Sequence, residues 1–145
     1  MESAVGYVIL TSFLIFILLS STSSMSQYAS TANAVSVSVI KSNLLQLVRE
    51  QLVETYQGAK VAGCSISLQI SVPKSIQGKT FIISIDSSSK ALVLDYGDAP
   101  ISYPLPPLSP PSAIWSESRY VSGSGKLSIL ASWTGGSIAL SLSGG

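Results

Sequence analysis

The sequence predicts an α+β protein: one long hydrophobic N-terminal α-helix followed by a small antiparallel β-sandwich head. Three observations predict it. From Ser3 to Ile40 no side chain carries a charge, and no proline occurs before Pro73, so nothing obliges a break in a helix that begins near the N-terminus. Between Ile40 and Tyr56 the apolar residues recur mostly at spacings of three or four, the helical period. From Cys64 onward the period becomes two, the strand period. The chain thus divides into a helical region over 1–60 and a β head over 64–145.

The uncharged run has two chemistries. Residues 3–20 (SAVGYVILTSFLIFILLS) are dominated by large apolar side chains and have about the minimum length for a membrane-spanning helix. Residues 21–40 (STSSMSQYASTANAVSVSVI) are rich in Ser, Ala and Thr. Ser, Thr and Val are mediocre helix formers in water, but small residues let helix backbones approach closely, and hydroxyls can bond neighbouring carbonyls. A helix over 3–40 would be about 57 Å long at ~1.5 Å per residue, against a hydrocarbon core of ~30 Å. A plain anchor does not need that excess. The expectation is that 3–20 span a membrane and that 21–40 pack against other helices. Candidate packing residues are Val5, Val8, Leu10, Phe13, Phe16, Leu19, Ala29, Ala32, Ala34, Val37, Ile40, Leu44 and Leu47.

Three simpler readings compete. A secretory signal peptide wants a basic n-region, yet only Met1 and Glu2 precede the apolar run, and the A-x-A pattern Ala32-Asn33-Ala34 lies far beyond Ser20. A signal anchor followed by a flexible Ser/Thr stalk fits the composition but leaves 21–40 without a packing role. A buried helix of a soluble core fails on size, because a small domain cannot cover such a run on all sides.

Past Lys41 the helix turns amphipathic over 40–57. Ile40, Leu44, Leu47, Val48, Leu52 and Tyr56 form an apolar stripe, with Arg49, Glu50 and Glu54 between them. Gly58 and Gly63 are natural stop signals. A head of this size would be marginal alone, so it is expected to rest on that stripe.

In the head, Ile66, Leu68, Ile70 and Val72 alternate with polar residues, as in a half-buried strand, with Cys64 a small buried residue at its start. Phe81, Ile83 and Ile85, a turn at Asp86–Ser89, and Lys90 to Asp95 read as a hairpin. Leu127, Ile129, Ala131 and Trp133, a Gly135-Gly136 turn, and Ile138, Leu140 and Leu142 read as another. With Glu117 to Val121 the count is six strands. Residues 99–111 (APISYPLPPLSPP) hold all but one of the seven prolines and read as a loop, because proline cannot donate to a strand ladder. As a rigid connector it needs no ligand. As a recognition loop it would display Tyr103, Leu105 and Leu108 on a stiff backbone, with Trp115 nearby, so Tyr103, Leu105 and Trp115 are the candidate surface-binding residues.

Composition narrows the chemistry. Only 10% of residues are charged and the net charge is +1, so there is no basic footprint for nucleic acid and no acidic tail. The chain has no His and one Cys, which removes internal disulfides, Cys/His zinc sites and every His-dependent triad. Asp86, Asp95 and Asp98 cluster near the ends of one hairpin, where acids commonly shape turns. The expectation is no enzyme activity, no cofactor and no metal. No N-x-S/T triplet begins at Asn33 or Asn43, and the head surface should be Ser/Thr-rich and weakly charged, either sticky or a carrier of O-linked sugar.

The uncharged apolar helix, its small-residue continuation, the amphipathic end and a β head containing the run VPKSIQGKTFIISI together resemble the archaeal type IV pilin and archaellin superfamily. The resemblance spans the whole chain and rests on architecture. It implies a subunit anchored in the cytoplasmic membrane before assembly, then a homo-oligomeric helical filament at the cell surface with helices in the core and β heads outside, used for adhesion. Family precursors carry a short basic leader. None stands ahead of the apolar run, which implies either a processed subunit or an uncleaved relative similar to the archaellum accessory proteins. Glu2 lies near, but not at, the position where bacterial pilins keep an acid that pairs with a neighbour's N-terminal amine. The rival expectation is a membrane-anchored β-sandwich binding module that contacts a surface layer or host surface.

Overall fold

The computed structural model describes residues 2–108 and 112–144, with side chains from Gly6 onward. The side chains of Glu2 and Val5, and the Ser109–Pro111 end of the Pro-rich segment, lie outside the described residues. The chain forms two compact units, Met1–Ser38 and Val39–Gly145. Helix α1 runs Glu2–Ala62.

In the second unit, the end of α1 contributes a face to the core. Leu45, Val48, Leu52, Tyr56 and Ala59 are completely buried and Leu44 nearly so, at the three- and four-residue spacing that aligns side chains on one helix face. Gly58, expected to stop the helix, lies inside it. A Cβ there would come 3.3 Å from the Ile66 side chain, so the glycine lets the first strand pack closely. The helix ends at Gly63, whose φ of 66° is left-handed and whose N–H donates to the Ala59 carbonyl at 2.9 Å.

Among the described residues eight strands follow rather than six: β1 (Ile66–Ser71), β2 (Ile82–Asp86), β3 (Ala91–Asp95), β4 (Ile101–Pro104), β5 (Ala113–Trp115), β6 (Ser118–Val121), β7 (Lys126–Thr134) and β8 (Ser137–Gly144). They form two four-stranded sheets, ordered β1-β7-β8-β5 and β4-β3-β2-β6. Every pairing is antiparallel except β5 with β8. The β7–β8 hairpin turns through Gly135 and Gly136, with φ of 56° and 90°, the left-handed pair a two-residue turn requires.

The two unexpected strands have physical explanations. β4 lies inside the Pro-rich segment, where a loop is expected, but it is an edge strand paired only with β3, and Pro104 sits at its end. An edge position leaves proline's missing donor harmless. β5 is three residues long, too short to show a period in sequence. Only Ser116 and Glu117 separate it from β6, so the chain steps there from one sheet to the other. The step is pinned to β8: the Ser116 N–H donates to the Leu140 carbonyl at 3.0 Å, and the Leu142 N–H donates to Ser118 Oγ at 2.9 Å.

That step joins the sheets along one side. Helix α1 reaches both sheets as well. Trp133 Nε1 of β7 donates to the Ala59 carbonyl at 3.2 Å, and the Tyr103 hydroxyl of β4 bonds the Ser42 hydroxyl. The core is filled by the helix face, by Ile83, Ile85, Leu92, Leu94 and Tyr120 from one sheet, and by Leu127, Ile129, Ile138 and Leu140 from the other. Outward positions of β1 are the exposed Ser67, Gln69 and Ser71, a hydroxyl- and amide-bearing surface of the kind the composition predicts. Cys64 is exposed, not buried, because it lies between the helix end and the start of the ladder at Ile66.

Candidate assembly surface

The first unit offers a single feature, a helix with almost nothing against it. Among its described side chains only Thr11 and Val37 are even half-buried, and all others are exposed. Tyr7, Val8, Ile9, Leu10, Phe13 and Leu14 are each at least half exposed, and the large apolar residues from Ile15 to Leu19 are similar. The helix is long and apolar enough to cross a membrane, with a mean hydropathy of 1.9 in its best window and none of that window buried. Exposed apolar area of this extent costs roughly 25 cal/mol per Å² in water.

Its hydroxyls are prepared for that. Thr11 Oγ1 donates to the Tyr7 carbonyl at 2.9 Å and Ser12 Oγ to the Val8 carbonyl at 2.8 Å. Thr22, Ser24 and Thr31 likewise donate to the carbonyl four residues before them, at 3.0 to 3.1 Å. For these five hydroxyls the expected carbonyl partners are in the same helix. A hydroxyl satisfied within its own helix can leave water without an unpaired donor, which lowers the cost of packing this face.

The candidate packing residues separate into two groups. Val8, Leu10, Phe13, Phe16, Leu19, Ala29, Ala32 and Ala34 are exposed and Val37 is half-buried, all on the first unit's helix. Ile40 and Leu47, in the second unit, keep 38% and 42% exposure and remain accessible. Leu44 is a correction. It is buried in its own head at 5% exposure, so it cannot face another subunit. The apolar stripe splits because the sheets take the Leu44, Val48, Leu52 and Tyr56 side and leave Ile40 and Leu47 outside it.

The candidate binding trio does not form a displayed patch. Leu105 is buried at 7% and its N–H donates to the Lys90 carbonyl at 2.9 Å. Trp115 is buried at 8%, and both residues line a depression of about 330 Å³ together with Pro107 and Leu108. Tyr103 is half-buried and tied to Ser42. The expectation of side chains presented on a stiff loop is thus corrected for Leu105 and Trp115: Leu105 turns inward as it leaves β4, and Trp115 is buried on β5, which pairs with β8.

The three hairpin acids are each engaged locally. Asp86 accepts from the hydroxyls and N–H groups of Ser88 and Ser89, which pull its carboxyl down to about 2. Asp95 accepts the Gly97 N–H at 2.9 Å. Asp98 holds Lys41, with the ammonium 3.0 Å from both carboxylate oxygens, and this hydrogen bonding draws its carboxyl below the usual range. Among the described residues no three acidic, His or Cys side chains come together as a metal site would need. Sequence reasoning missed the Lys41–Asp98 pair. The partners are 57 residues apart, and no local pattern marks a lysine on the edge of an apolar stripe as buried.

No protein-family model, curated protein or solved structure matches the chain.

Proposed function

We propose that this chain is the structural subunit of an extracellular filament of the type IV pilus kind, held in the cytoplasmic membrane by its N-terminal helix before assembly and serving adhesion. The observation that carries the reading is the exposed, uncharged helix surface from Gly6 to Ser38. Lipid can cover only ~30 Å of it, roughly twenty residues at ~1.5 Å each. The remainder is the Ser/Ala/Thr-rich stretch, whose small side chains permit close backbone approach and in which the Thr22, Ser24 and Thr31 hydroxyls bond within the helix. Copies of the same helix cover both stretches at once: assembly exchanges lipid contacts for helix contacts. The head then supplies lateral contacts and the solvent face, and no catalytic step is assigned to it. A membrane-anchored binding module is less well supported, since Leu105 and Trp115 are spent inside the head.

The test is electron microscopy of material sheared from the cell surface, with mass spectrometry of the protein in it. Uniform filaments containing this chain are the expected result. A detergent-soluble monomer or dimer confined to membranes would overturn the reading. Ala34→Lys is expected to abolish filaments by burying an unpaired charge while the monomer still inserts. Normal filaments from that variant would remove the packing role of residues 21–40.

A further inference from the structure

Lys41 is the first charged residue after Glu2, and it is buried, at 5% exposure. Its ammonium lies 3.0 Å from both oxygens of Asp98 and 4.1 Å from the centroid of the Tyr96 ring. Lys79 approaches the same ring, at 5.6 Å. Tyr96 is held in place by its own hydroxyl, which donates to the Ile76 carbonyl at 2.7 Å. The neighbouring residue, Ser42, bonds Tyr103 of β4. These contacts are made in the first helical turn of the second unit, which begins at Val39.

We propose that Lys41 and Asp98 form an acid-sensitive latch that holds the Lys41 turn of helix α1 on the head, and that protonating Asp98 releases that turn. The charge count explains the sensitivity. Two cations, Lys41 and Lys79, share one aromatic ring, and Asp98 supplies the anion paired with Lys41. Asp95, the nearest other acid in sequence, is committed to the Gly97 N–H. Once Asp98 is neutral, the buried ammonium has lost its ionic partner while Lys79 still shares the ring, an arrangement that favours its escape to water. Proton access is immediate, because the Asp98 side chain is 61% exposed while that of Lys41 is 6% exposed. The sign follows from linkage. Asp98 titrates below its unfolded value because it accepts from Lys41, so the latch is closed above the ordinary carboxylate range and opens as pH falls through the lowered value.

The experiment is amide hydrogen exchange on the full chain in detergent micelles, followed over the backbone from Ile40 to Val48 and requiring no filament. Asp98→Asn is expected to speed exchange there by about tenfold or more at neutral pH while β7 and β8 keep their protection. Lys41→Met fills the same slot without a charge, so Lys41→Met combined with Asp98→Asn is expected to restore slow exchange. The wild type should lose protection in this segment as acid is added, and Lys41→Met should not. The latch is overturned if Asp98→Asn exchanges like the wild type, if the double variant is no slower than the single one, or if both proteins respond alike to acid. Because the readout is made on the monomer, failure here leaves the filament reading standing, and absence of filaments leaves the latch standing.

Discussion

Two stretches of the same helix meet opposite fates, and the contrast shows how composition assigns a partner. Between Lys41 and Ala59 the helix is two-faced: Leu45, Val48, Leu52 and Tyr56 vanish into the head, while Gln46, Glu50 and Glu54 meet water. Between Gly6 and Ser38 there is no such division. The first half of that stretch is apolar around most of its circumference and the second half is small and uncharged, so no single face is set apart for the chain's own head. A stripe is satisfied by one neighbour on one side. A helix of uniform surface is not satisfied by one neighbour on one side.

The largest effect that separates the two stretches is expected from truncating the buried face. Leu52→Ala should destabilise the head by about 3 kcal/mol, through lost transfer energy and a cavity the sheets cannot fill. Leu18→Ala, at 66% exposure, should leave the head's thermal melting unchanged to within about 0.5 kcal/mol. Equal effects in thermal unfolding in detergent would erase the distinction. A smaller effect is expected from Trp133→Phe, which keeps most of the apolar area but removes the Nε1 donor to the Ala59 carbonyl. The loss should be about 1 kcal/mol, visible as a lower melting temperature. The smallest is expected from Gly58→Ala. Helix propensity favours alanine by about 1 kcal/mol, while the new methyl meets the flexible end of Ile66 at 3.3 Å. A net gain of about 0.5 kcal/mol is expected if Ile66 shifts aside. A loss greater than about 1 kcal/mol would mean that the helix and β1 are packed too rigidly there to yield.

Much of this architecture was legible in advance, element by element. The switch of period from about 3.6 to 2 between Tyr56 and Ile66 located the change from helix to sheet, and the Gly135-Gly136 pair located a hairpin, because both signals are local. The misreadings are also instructive. Gly58 resembled a terminator because glycine is costly in a helix, but the cost is accepted where Ile66 needs the space. The Pro-rich stretch resembles a loop because proline cannot donate to a ladder, and only the strand order makes β4 an edge where that is harmless. Leu105 and Trp115 resembled recognition groups because exposure is a property of the fold, not of residue type. Leu44 resembles a packing residue by its place in the apolar stripe, but its own head buries it.

By itself, the sequence determined that the chain has a long uncharged helix, an amphipathic continuation and an all-β remainder, since periodicity and charge are carried by residues close together along the chain. Only the tertiary structure decided which side of the stripe is buried, how the chain steps from one sheet to the other at Ser116 and Glu117, and that Lys41 finds Asp98. Each of those depends on groups far apart in sequence that meet only when both sheets and the helix are in place. Local propensity does not constrain which such groups will meet.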